Sequence, residues 1–115
     1  MNEFVLIFRS DFQLEVKFSP DEMQAIMQQW QTWMGGMASQ GKLASSGNRL
    51  GGDGKTVRPG NLITNGPYAE IKEMLTGYII VNADTIDEAA EIAKGCPILL
   101  VGGNVEVRDV IPMNG

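Results

Sequence analysis

The tetrapeptide Ser19-Pro20-Asp21-Glu22 constrains this chain more tightly than any other stretch. A serine whose hydroxyl accepts from the backbone three residues on, a proline at the first helical position and a glutamate that reaches back to the serine N–H together start a helix. Apolar residues then recur at Met23, Ile26, Met27, Trp30, Trp33 or Met34, and Met37, which is helical spacing. Gly35-Gly36 weakens the middle, and Gly41 is a natural stop. Thr85 repeats the device, with Glu88 at the capping-box position and Ile86, Ala89, Ala90 and Ala93 on one face. Gly95 ends that second helix and Pro97 prevents its resumption. Helices near residues 20–40 and 85–95 are therefore expected.

Around these helices lie runs that suit strands. Glu3 to Arg9 is short, apolar and rich in β-formers, as is GYIIVNA from Gly77. Leu43 to Leu50 reads as another strand. Short β-like pieces come next at Thr56 to Arg58 and Asn61 to Thr64, joined by a Pro59-Gly60 turn. Asn104 to Ile111 alternates apolar Val105 and Val107 with outward Glu106 and Arg108. The order repeats a β-α-β unit twice, which is the ferredoxin-like α+β arrangement, and right-handed crossovers put both helices on one face of a mainly antiparallel sheet. Strands such as VLIF and YIIV carry apolar residues on both faces, so the uncovered face needs a cover. A second subunit, sheet against sheet, supplies one, and a homodimer is expected. The 115 residues fit one domain, 1–115.

Composition narrows the chemistry. The chain has no histidine, which excludes Ser-His-Asp and Cys-His triads, imidazole shuttles and nearly all zinc sites. Chemistry is left to carboxylates, Lys, Arg, Tyr, Ser or Thr, and neither metal nor cofactor is expected. A net charge of -5, with nine basic residues scattered singly, argues against nucleic acid as a partner. Cys96 is the only cysteine and reads as a small buried hydrophobe in a reducing compartment. The N-terminal run Phe4 to Phe8 is too short for a signal peptide or membrane span, so a cytoplasmic location without membrane attachment is expected.

Gly52 to Thr56, GDGKT, resembles the end of a phosphate-binding loop. The pattern needs glycine where Arg49 stands and a helix where the chain has Arg58-Pro59-Gly60, so the stretch is a hairpin link. No acidic spacing matches a calcium loop. The methionines of the first helix read as core, and if one edge of their face is exposed it lines a pocket against the sheet.

Asn65 to Glu73, NGPYAEIKE, runs a turn signal into an aromatic and three charges. By physics alone it is a corner with permissive Asn65 and Gly66, a rigidifying Pro67, Tyr68 and Ile71 tucked inward, and Glu70, Lys72 and Glu73 facing water. The stretch also resembles DGPFAETKE, the signature of a set of small bacterial proteins in the YCII-related superfamily. Gly66, Pro67, Ala69, Glu70, Lys72 and Glu73 agree with it. Similar text continues elsewhere: Ser19-Pro20-Asp21-Glu22-Met23, the central Trp30, GYIIV, Asp87-Glu88-Ala89, Cys96-Pro97 and Gly103-Asn104-Val105-Glu106-Val107-Arg108. The resemblance spans essentially the whole chain.

The resemblance implies a dimeric α/β-barrel of two ferredoxin-like subunits and a bacterial setting. Some members are fused to or encoded beside sigma factors of the extracytoplasmic-function type, which implies a regulatory context. Related proteins are suspected of enzymatic activity because a His and an Asp meet in a cleft. That chemistry does not carry over, since there is no His and Asn65 replaces the leading Asp of the signature. Tyr68 adds a hydroxyl where the signature has Phe, and Asp109 replaces a Pro of the family tail.

Three functions from different classes are open to such a chain. One is a small-molecule-binding or regulatory module, with Asn65, Gly66, Pro67, Tyr68, Lys72 and Arg108 at the ligand. Another is an isomerase- or lyase-type enzyme with Glu70 or Glu73 as base and Arg108 or Lys72 as electrostatic stabiliser. A purely structural partner for a transcription regulator is the third alternative.

Overall fold

The computed structural model describes residues 1–11, 18–66 and 74–113. It is an α+β arrangement, beginning with strand β1 (Asn2–Ser10), helix α1 (Pro20–Ser39) and strand β2 (Leu43–Arg49). Strands β3 (Lys55–Arg58) and β4 (Leu62–Asn65) come next, then β5 (Met74–Ala83), helix α2 (Ile86–Ala93), a 3-10 turn (Pro97–Val101) and β6 (Asn104–Asp109). Four strands form one sheet in the order β2-β5-β1-β6, each antiparallel to its neighbours. Strands β3 and β4 pair with each other as a separate hairpin.

The caps act as the sequence predicts. The Glu22 N–H donates to Ser19 Oγ at 3.2 Å, and the Ser19 N–H donates to Glu22 Oε1 at 3.1 Å, closing the box at the head of α1. Helix α1 passes through Gly35-Gly36 without a break. It stops at Gly41, where φ is 71°. There the Gly41 and Lys42 N–H groups return to the carbonyls of Ala38 and Met37 at 3.1 and 2.9 Å, the paired bonds of a Schellman ending. At α2 the box is displaced by one residue. Thr85 Oγ1 accepts from the Glu88 N–H at 3.1 Å, but Glu88 Oε2 takes its bond from the Asp84 N–H at 3.4 Å.

The core lies between the sheet and both helices. Phe4, Leu6 and Phe8 of β1 and Ile79, Val81 and Ala83 of β5 are buried with Met37 of α1 and Ala89 and Ala93 of α2. Both helices therefore cover one face. Cys96 joins this core, where desolvation pushes its thiol up to about 12.

The opposite face has no second layer among the described residues. Alternation along the two central strands puts Val5, Ile7 and Arg9 of β1, with Tyr78 and Ile80 of β5, on that side, each half-buried. The least extent of the molecule, 18 Å, matches one sheet and one helix layer. Its radius of gyration is 15.7 Å. A compact chain of this length has about 13 Å. The excess fits the β3–β4 hairpin, whose Val57 and Ile63 are 70% and 59% exposed.

Candidate functional site

Helix α1 carries large side chains at every inward position, and large side chains hold a helix away from its sheet. Only Met37, in its last turn, is buried. Nearer the N-terminus, Met23, Ile26 and Trp30 are less than fully buried and Met27 is 47% exposed. Beneath them a cavity of about 260 Å³ opens between α1 and the ends of β1, β2 and β5. The methionine stripe is thus both core and cavity wall. Phe8 and Trp30 meet there edge to face, centroids 5.0 Å apart.

Two strand irregularities shape the cavity floor. In β2 the register slips between Ser45 and Asn48, so that Ser46 and Gly47 together stand opposite the single residue Ile79 of β5. Gly47 has φ 59°, and a Cβ there would lie 1.7 Å from the Tyr78 carbonyl oxygen, so no other residue fits. In β5 the extra residue is Thr76, opposite the Phe8/Arg9 step of β1. The buried Thr76 hydroxyl donates to the Phe8 carbonyl at 3.3 Å. Gly77 comes next, flush against Asn48 O and Phe8, and its missing side chain leaves room between Phe8 and Arg49. Ser46, Asn48, Arg49 and Thr76 thereby reach the cavity lining. Bulges often re-aim groups beside a site, and here two adjacent strands bulge at one cavity. Gly47 and Gly77, each alone in a strand-like run, are the signal that points to them.

The residues singled out from the sequence are dispersed. Pro67, Tyr68, Glu70, Lys72 and Glu73 lie outside the described residues. Asn65 is the last residue of β4 rather than part of a free turn, because the β3–β4 ladder extends to it. Its Oδ1 accepts from Lys55 Nζ at 2.9 Å. Gly66 has φ 91°, and its N–H donates to the Gly54 carbonyl at 2.7 Å, closing the hairpin base. Arg108 pairs in register with Val5, so it stands on the sheet face away from α1 and its cavity. There Glu106 lies between two guanidinium groups, 3.3 Å from Arg9 Nη2 and 3.7 Å from Arg108 Nη1. Tyr78, which alternation puts on the same face and which also borders the cavity, accepts a bond from Asn48 Nδ2 at 3.0 Å.

Among the described residues no carboxylate lines the cavity, and no group of three potential metal ligands occurs. No helix among them is long and apolar enough to cross a membrane.

Comparison with known proteins bears on the family. No curated protein matches the chain. Among solved structures it is similar to 5-chloro-2-hydroxyhydroquinone dehydrochlorinase from Burkholderia phenoliruptrix in complex with 2,5-dihydroxybenzoquinone, at 19% identity and a TM-score of 0.46. That alignment covers 94% of this chain and 93% of the other. The model of the YCII-related domain matches residues 4–114, nearly the whole length, and the chain belongs to that family.

Proposed function

We propose that this protein is a small-molecule-binding or regulatory module of the DGPF type, built as a cytoplasmic homodimer. The observation that carries the reading is the cavity of about 260 Å³ under α1, apolar over most of its wall and with hydroxyls placed by two bulges. Ligand sites are typically concave and apolar with a few convergent polar groups. A ligand role for Asn65, Gly66, Pro67, Tyr68, Lys72 and Arg108 is proposed separately from the cavity, because Arg108 stands on the other sheet face, and the sigma-factor association of similar proteins gives the regulatory side of the reading.

The strand order β2-β5-β1-β6, with a helix after β1 and another after β5, supports a ferredoxin-like subunit. Val5, Ile7 and Ile80 support a second copy laid sheet to sheet, closing the barrel over the open face. On this reading Arg9, Glu106 and Arg108 face the partner, where removal from water strengthens their pairing.

Thermal shifts across a small-metabolite library, with wild type and Glu70→Gln, test the binding reading. A ligand that stabilises both proteins equally is the expected result. Turnover present in wild type and lost in Glu70→Gln would transfer the assignment to an isomerase or lyase using that carboxylate. Light scattering that gives a monomer mass at micromolar concentration would refute the dimer.

A further inference from the structure

We infer that the cavity under α1 takes a flat, uncharged aromatic molecule of one fused ring pair carrying a single hydrogen-bond donor. The inference rests on the binding reading and names the ligand class of that site.

Size comes first. An apolar cavity of about 150 Å³ holds one benzene ring. At about 260 Å³, this one has space for two fused rings or one ring with a short substituent.

The wall decides for a ring over an alkyl chain. Phe8 and Trp30 are set at 80° to each other, and an inserted ring extends that edge-to-face arrangement. Met23, Met27 and Met34 supply thioethers, which make favourable contacts with aromatic edges and adapt to the shape of what enters.

Charge is decided by the lining and the chain as a whole. Arg49 is the one charged residue among the described lining, and it already has a partner of its own. The chain carries a net charge of -5, which repels anions. An uncharged ligand avoids desolvating a carboxylate or sulfonate against an apolar wall.

The donor is set by Thr76. Thr76 lines the cavity and gives its proton to the Phe8 carbonyl at 3.3 Å, which leaves its oxygen to act as an acceptor. A ligand N–H or O–H satisfies that oxygen, whereas a ligand with acceptors alone leaves it unpaired.

Isothermal titration of the full-length protein with indole, 1-methylindole, indole-3-acetate and 1-octanol separates these features. Indole is expected to bind at one site per chain. Blocking its donor in 1-methylindole should weaken binding about fivefold, the worth of one net hydrogen bond. Indole-3-acetate and 1-octanol should each bind at least about tenfold more weakly than indole. Thr76→Val should weaken indole about fivefold and leave 1-methylindole unchanged, a pattern that a merely looser cavity would not give. Met27→Glu, at an exposed position of the rim, should abolish indole binding while far-UV circular dichroism stays the same.

Tighter binding of indole-3-acetate or 1-octanol than of indole would overturn the ligand class and leave the binding reading standing. Indole binding indifferent to Met27→Glu would overturn the site. If none of the four probes binds, the ligand class falls. If the metabolite library also gives no shift, the binding reading falls with it.

Discussion

Helices α1 and α2 lie on the same face of the same sheet, and each starts on a hydroxyl that accepts from the N–H three residues on. Yet α2 presents Ala89 and Ala93 and sits flush, both residues buried within a helix of eight residues. Helix α1 has 20 residues and buries only Met37. The difference is side-chain volume. Alanines let backbone approach backbone, whereas Met23, Met27, Trp30 and Met34 prop α1 off the sheet and leave space that nothing in the described chain fills. The caps fix where each helix starts, and the inward side chains fix how close it comes. A chain that packs one helix tightly and leaves the other propped open has a cavity beneath the propped one. Trp33 links the two: its Nε1 donates to the Ile92 carbonyl at 3.2 Å, holding the C-terminal half of α1 to α2 while the N-terminal half stands clear.

The largest way to break this contrast is to destroy the floor under α1. Gly47→Ala places a Cβ where the Tyr78 carbonyl oxygen already is, 1.7 Å away, and does so at φ 59°. The β2–β5 pairing must then open. Urea unfolding should show a loss on the order of 3–5 kcal/mol, with cavity binding lost as well. A loss below about 1 kcal/mol would mean that β2 finds another register at little cost.

Next comes a direct comparison of the two helices. Ala89→Leu forces a large side chain beneath α2, where there is no space, and should cost about 1–3 kcal/mol. Met27→Leu on α1, half-exposed above a cavity, should change stability by less than about 0.5 kcal/mol. Equal costs at the two positions would show that α1 is as tightly seated as α2.

A third test uses pH at the junction after α2. Burial raises the Cys96 thiol from an ordinary value near 9.0 to about 12. The folded state keeps its proton where the unfolded chain gives it up. The stability this represents is present in full below pH 9 and lost as pH rises towards 12. Between those limits wild type should lose up to about 1.4 kcal/mol per pH unit relative to Cys96→Ala. Parallel stability curves for the two proteins would place the thiol in water. For the same reason Cys96 in the folded protein should resist thiol reagents at about pH 8.

These tests also separate what is legible in the sequence from what is not. Ser19-Pro20-Asp21-Glu22 and Gly41 mark the two ends of α1 because capping is a local matter, decided by residues within a few positions of one another. That β1 and β5 are apolar strands is legible for the same kind of reason, as a run carried along one segment, but a run apolar on both faces does not say which face meets the helices. The cavity is only partly so. The methionine stripe points to a wall, but the β2 and β5 bulges depend on how residues far apart in the chain register against each other, and Gly47 or Gly77 alone does not reveal its partner. Arg108 is legible as a cation, but its strand phase is not. Its chemistry suits a ligand anchor, yet the register with Val5 puts it on the other side of the sheet from the cavity. The 3-10 turn at Pro97–Val101 is not legible at all, because Pro97 marks the end of one helix and leaves the conformation of the next few residues open.

The smallest expected effect distinguishes the two caps. At Ser19 the exchange of bonds is reciprocal, and the Glu22 carboxylate is held below its ordinary value of 4.5, first by the Ser19 backbone N–H and second by the Ser19 side chain. A carboxyl lowered in this way adds stability that is present above pH 4.5 and lost as pH falls through its folded-state value. At α2 the carboxylate of Glu88 passes over the Thr85 N–H and bonds Asp84 instead, at 3.4 Å. Ser19→Ala and Thr85→Ala should each cost about 1 kcal/mol at neutral pH, since each removes one N-cap acceptor. Their acid behaviour should differ. Glu22→Gln keeps an acceptor for the Ser19 N–H but cannot be protonated in this range, so it should flatten the acid limb of the stability curve below pH 4.5. Urea midpoints measured from about pH 3 to about pH 7 provide the reading. If Glu22→Gln tracks wild type across that range, the box at the head of α1 owes its stability to the Ser19 hydroxyl alone, and the two helices are capped by the same single bond.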